Sequence, residues 1–245
     1  MNSLCKILAT ATLLSGAYLA PVQAANSLEI NGSLFQQTGG STFDVWNIVA
    51  PSGGTFKLNV LAYESIDNTT ANAQDINGDG ELTYIDADTH FWLDDGSANP
   101  LLTAANHLAR CDDIANNCPV VDTPNFKLND LGAAFGASDG SIHFRRDPAY
   151  QVSLAAGNYL FVMADYFLTN AEAAAGINTG DTIRNTATGG HGNYRVTFSS
   201  DSLILSLSGK TITASSVPVP GAAWLFGSAI VGLIGYGRRK IASIA

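Results

Sequence analysis

Residues 75–86, DINGDGELTYID, space oxygen donors in a way that suits a hard cation. Asp75, Asn77 and Asp79 stand at positions 1, 3 and 5, Gly80 at 6, Glu81 with its main-chain carbonyl at 7, Thr83 at 9 and the carboxylate of Asp86 at 12. Calcium takes roughly six to eight oxygens, a glycine lets the chain turn tightly around the ion, and a final carboxylate closes the shell. Calcium is therefore the cofactor expected here, on Asp75, Asn77, Asp79, Glu81 and Asp86. The alternative is an Asn-Gly-Asp-Gly hairpin whose acids merely face water.

This ligand order is that of the EF-hand. Asp86 in place of the usual glutamate, and Leu82 at position 8, make the segment resemble a dockerin-type calcium loop more than an intracellular sensor. No second paired loop follows, and the downstream TYIDADTHFWLDDG reads as extended chain, so the metal is expected to be structural rather than regulatory. Repulsion among Asp75, Asp79 and Asp86 disfavours the loop without the ion, which couples the metal to folding.

Other chemistry is weaker. Cys111 and Cys118 enclose six residues, and in an exported chain two cysteines at this range are expected to form a disulfide. A zinc site would need further local ligands beyond His107. His90, His107, His143 and His191 show no metal spacing. Gly136-Ala137-Ser138-Asp139-Gly140 matches G-x-S-x-G, but a nucleophile elbow needs a strand before the serine and a helix after it, so a turn is expected. The pairs Asp94-Asp95 and Asp112-Asp113 read as solvated turns or a second calcium site. Trp46 and Trp92 lie in strand patterns, where core packing is the usual role.

These groups sit between two targeting segments. Residues 1–24 carry Lys6, an apolar run over 7–20 and Val22-Gln23-Ala24, the pattern of a signal peptide cleaved after Ala24; Cys5 leaves with it. At the other end Pro218-Val219-Pro220 precedes an apolar stretch and the cations Arg238, Arg239 and Lys240. Such a run can enter a bilayer as a single transmembrane helix with its basic end in the cytoplasm. The order resembles the PEP-CTERM sorting signal of Gram-negative bacteria, with Val219 where that family has Glu. The resemblance implies a transient stay in the inner membrane and exosortase, the transpeptidase that processes such tails, as partner. A permanent C-terminal anchor is the other reading.

Of 12 bases, four lie in these ends, so about 8 face all 21 acids and the exported part carries about −13. That charge excludes nucleic acid as a partner. The intervening chain reads as strands between turns over 27–35, 43–50, 54–64, 90–95, 141–144, 150–166 with a break at Gly157, and 193–200, with a helix only over 170–175. An all-β, antiparallel β-sandwich of jelly-roll type is expected, as one domain over 25–213 with the sorting segment over 214–245. The DVW strand at 44–46, GTFKLNVLAYE, the acidic segment before WLDDG and the late AAGNYLFVMADY hairpin resemble the pre-peptidase C-terminal type of small β-sandwich, which implies an accessory or adhesive domain. The function expected is that of a non-catalytic surface or matrix protein, exported to the cell surface or extracellular matrix and associated with polysaccharide in a biofilm. The alternative is a carbohydrate-binding module or small polysaccharide hydrolase.

Overall fold

Alternation of apolar and polar side chains shapes most of the strands. A computed structural model describes residues 26–64, 75–96, 102–112, 118–141, 146–179, 183 and 190–217. Residues 1–24, expected as a signal peptide, and Pro218, Val219, Pro220, Arg238, Arg239 and Lys240, expected to serve sorting, lie outside them. In chain order the strands are β1 (Ser27–Gln37), β2 (Gly40–Ser41), β3 (Asp44–Ala50), β4 (Gly54–Leu61), β5 (Ala87–Leu93), β6 (His107–Cys111), β7 (Val121–Asp122) and β8 (Phe126–Asp130). Helix α1 (Ala133–Gly136) and a 3-10 turn (Ala137–Asp139) follow, then β9 (Ala149–Leu154), β10 (Gly157–Asp165), α2 (Asn170–Ala175), β11 (His191–Ser199), β12 (Leu203–Ser208) and β13 (Thr211–Ser216).

The strands form two sheets, one in the order β2-β1-β11-β4-β9-β8-β7 and one in the order β12-β13-β3-β10-β5-β6. Their facing sides supply one core: Ile30, Leu34, Phe56, Leu58, Val60, Val152, Val196 and Phe198 from the first, Ile48, Phe91, Tyr159, Phe161, Met163 and Ile212 from the second. Each such large side chain removed from water contributes about 1.5–3 kcal/mol. Aromatic contacts link the layers, with Phe161 edge-on to Phe198 at 5.6 Å between ring centroids. So does a polar chain: Trp46 Nε1 donates to Tyr194 Oη at 2.9 Å, and Tyr194 Oη donates to Asp44 Oδ2 at 2.6 Å.

Three features depart from the expected pattern. The pairing is antiparallel except between β13 and β3, which run parallel through Thr211↔Asn47 to Thr213↔Val49. Strand β10 buries both faces, because Leu160, Val162 and Ala164 pack under Trp92, Leu102, Leu168 and Ala173 in a second apolar cluster. Strand β13 continues to Ser216, beyond the boundary read at 213. Helix α2 forms where expected, started by a capping box in which Thr169 Oγ1 accepts from Glu172 N and Glu172 Oε2 accepts from Thr169 N. The residues 142–144 of the strand expected over 141–144 lie outside the described residues, and Ser141 is in no strand. Among the described residues no helix is long and apolar enough to cross a membrane.

Candidate metal centre

Residues 75–86 lie between β4 and β5, and their shape is set by side chains accepting hydrogen bonds from the loop's own N–H groups. Asp75 Oδ1 accepts from Gly78 N at 2.6 Å and its Oδ2 from Gly80 N at 2.9 Å. Asn77 Oδ1 accepts from Asp79 N at 3.2 Å, and Asp79 Oδ1 from Glu81 N at 2.7 Å. Gly78 and Gly80 have φ of 74° and 83°, the left-handed region where a side chain is strained. The sequence DINGDGE thus folds around its own carboxylates.

The loop is fastened from below by Glu64, whose side chain is fully buried. Its Oε1 accepts from Ile76 N at 2.7 Å, and its Oε2 accepts from Thr83 N at 2.7 Å and Thr83 Oγ1 at 2.6 Å. One carboxylate therefore grips both ends of the turn. Thr83 Oγ1 in turn accepts from Asn193 N at 2.7 Å, tying the loop to β11. At the neighbouring position a Cβ on Gly192 would meet Ile85 Cγ2 at 2.2 Å, so the close approach of β11 requires glycine there.

Of the five residues expected to bind calcium, the structure gathers two with a histidine. One ligand atom each from Asp79, Glu81 and His191 lies within 4.8 Å of the others, the span of a shell with a radius of about 2.4 Å. His191 Nε2 is 3.3 Å from Glu81 Oε2, and Asn193 Nδ2 reaches Asp79 Oδ2 at 3.4 Å. The Glu81 N–H, followed by the Asn77 amide, holds the Asp79 carboxyl below its ordinary range. Asp75 and Asn77 serve the loop's N–H groups. Asp86 turns elsewhere: its Oδ2 pairs with Arg146 at 2.7 Å and its N–H donates to Asp165 Oδ1 at 2.7 Å. Thr83 is buried on Glu64. The donor set is two exposed carboxylates and an imidazole: the carboxylates suit a hard divalent cation, the imidazole a borderline transition metal.

His191, Asn193 and Glu64 are the site residues that sequence reasoning missed. His191 and Asn193 stand more than a hundred positions from the loop, and only the β1-β11-β4 order brings them beside it.

The second polar cluster lies on β5 and β6. His90 Nε2 is 3.1 Å from buried Asp88 Oδ2, and His90 Nδ1 is 3.0 Å from His107 Nε2. Asp88 is the acceptor for His90 Nε2, and the His90 Nδ1–His107 Nε2 contact is one hydrogen bond shared between the two rings. Arg110 Nε donates to Asp88 at 2.8 Å and its other nitrogen to Asp112 at 2.8 Å, so Asp112 belongs to an ion pair. Burial, reinforced by His90, lowers the His107 pKa to about 4. Cys111 and Cys118 form the expected disulfide, S–S 2.06 Å, with Cys111 in the main core. The 136–140 segment is helical rather than a nucleophile elbow: Ser138 Oγ donates to Phe135 O at 2.6 Å.

No family model, curated protein or solved structure matches the chain.

Proposed function

We propose that this is a non-catalytic protein exported to the surface or matrix of a Gram-negative cell, sorted by exosortase and associated with exopolysaccharide. The observation that carries the reading is the order of Pro218-Val219-Pro220, an uncharged apolar run and Arg238-Arg239-Lys240 after the last strand of a strongly acidic domain. The apolar run forms a single transmembrane helix before processing, and the ectodomain belongs with jelly-roll sandwiches of the pre-peptidase C-terminal type. Calcium on the dockerin-like loop stabilises it outside the cell, where Asp79 and Glu81 bind directly and Asp75 and Asn77 shape the turn. Asp86 joins the shell only by exchanging Arg146 for the ion.

The test is the C-terminal peptide of the surface-associated protein from cells with and without exosortase. Processing near Pro218 in the first and an end at Ala245 in the second is the expected outcome. An end at Ala245 in both would make the segment a plain anchor.

A second reading, carbohydrate binding, is favoured by a polar cavity on the seven-stranded sheet.

A further inference from the structure

The outward face of the seven-stranded sheet carries a cavity of about 380 Å³ lined by Glu29, Asn59, Phe135, Ser138, Asp139, Arg195, Thr197 and Ser199. Its floor follows from strand register. Val196 and Phe198 of β11 face the core, so Arg195, Thr197 and Ser199 face outward, and Thr197 pairs with Glu29 on β1 and Asn59 on β4. The wall is α1 and its 3-10 turn, which contribute Phe135, Ser138 and Asp139. Asn59, 4 % exposed, pins wall to floor by donating through Nδ2 to Phe135 O at 3.1 Å, Gly136 O at 3.3 Å and Ser138 Oγ at 3.3 Å.

The polar atoms around this cavity are incompletely paired. Among the described residues, Asn59 Oδ1, Asp139 Oδ2 and Arg195 Nε are buried without a hydrogen-bond partner: an amide acceptor, a carboxylate oxygen and a guanidinium donor. Groups left in this state are costly, and three around one cavity point to a guest that completes them, directly or through a water it brings. Burial also raises the Asp139 pKa to about 6.

The lining decides the guest's chemistry. An anion meets Glu29 and Asp139; a bare cation meets Arg195; an apolar guest leaves every orphan unmet. A hydroxyl donates to a carboxylate and accepts from a guanidinium at once, and a ring of hydroxyls has a C–H face that packs on an aromatic such as Phe135. The volume falls within the roughly 300–1,000 Å³ of small-molecule sites. We infer that this cavity is a saccharide-binding site, with Asp139, Glu29 and Arg195 holding hydroxyls and Phe135 supporting a sugar ring. The inference deepens the polysaccharide reading and rests on it only for the biological source of the sugar.

The test uses the full chain in a detergent without a sugar headgroup, and saturation-transfer NMR with glucose, mannose, galactose, N-acetylglucosamine and cellobiose. At least one sugar should give a saturable signal that persists under calcium chelation. Glu29→Ala and Arg195→Ala should each weaken it about tenfold, the loss of one good hydrogen bond, while Lys127→Ala, which is not among the lining residues, leaves it unchanged. Glu29 is exposed, so that variant remains readable if Arg195→Ala fails to fold. Absence of a saturable signal with all five sugars, or binding that neither variant alters, overturns the site. The sorting reading would survive that result, because it stands on the C-terminal peptide.

Discussion

Tyr194 shows how much one hydroxyl can organise. It is the acceptor for Trp46 Nε1 and a donor to Asp44, which also holds Lys210 at 2.6 Å, so a residue of one sheet orders two residues of the other. Burial, with the Asp44 charge beside it, raises its pKa and keeps the phenol protonated. Gly32 belongs to the same arrangement, since a Cβ there would come within 2.4 Å of Tyr194 Oη. Tyr194→Phe leaves the indole N–H of Trp46 buried and unpaired, at an expected cost of about 1–3 kcal/mol by urea unfolding. An unchanged midpoint would show that the indole finds another acceptor. His107 gives a second residue-scale expectation. Its pKa is about 4 folded against 6.5 unfolded, so its contribution is complete above pH 6.5 and is lost as pH falls towards 4. Asp139, raised from 3.8 to about 6, acts in the opposite sense over part of that range. The readout is therefore a difference: melting midpoints of the native protein minus those of His107→Gln should decline from pH 6.5 to 4. A flat difference would refute the buried neutral imidazole.

At the scale of elements, the loop at 75–86 is a turn shaped by its own hydrogen bonds and held by Glu64, with the carboxylates of Asp79 and Glu81 exposed. Calcium should raise the unfolding midpoint after complete chelation, and Asp79→Ala should remove most of that gain. Glu64→Gln should lower the midpoint even without metal, because it weakens the acceptor shared by Ile76, Thr83 and Asn193. No response to millimolar calcium would sink the metal reading while leaving the Glu64 effect intact. Much of this was readable beforehand: the glycines and Asx residues of the loop, the strands at 27–35, 44–50 and 150–166, the helix at 170–175 and the cysteine pair all have local signatures. What escaped was non-local or short. Strands β2 and β7 have two residues each, and β6 is a five-residue edge whose HLARC has no clear alternation. LILSLS and TITASS do alternate, but in sequence they run directly into the residues read as a sorting segment, which hides their strand character. His90 and His107, scattered along the chain, meet because β5 and β6 pair with an irregularity at Trp92. The burial of both faces of β10 depends on Leu168 and Ala173 folding back over it, which no period-2 pattern reports.

For the whole molecule, the arrangement of the last strand matters most. Strand β13 is the last strand among the described residues, yet it is interior to its sheet, antiparallel to β12 and parallel to β3. A protein retained through its C-terminal end, and pulled through whatever it grips elsewhere, takes tension along β13. The rungs to both neighbours then lie across the direction of pull and resist together, whereas an edge strand drawn sideways releases them one after another. We expect single-molecule pulling from Val217 to give a higher unfolding force than pulling from Gly209, in the turn between β12 and β13, where the hairpin can peel; forced unfolding is governed by the unfolding rate, so the two directions should also differ in lifetime under load. Equal forces in both directions would remove the mechanical reading. A difference would mean that β13, bonded on both sides, sets how long the domain withstands a load applied at its far end.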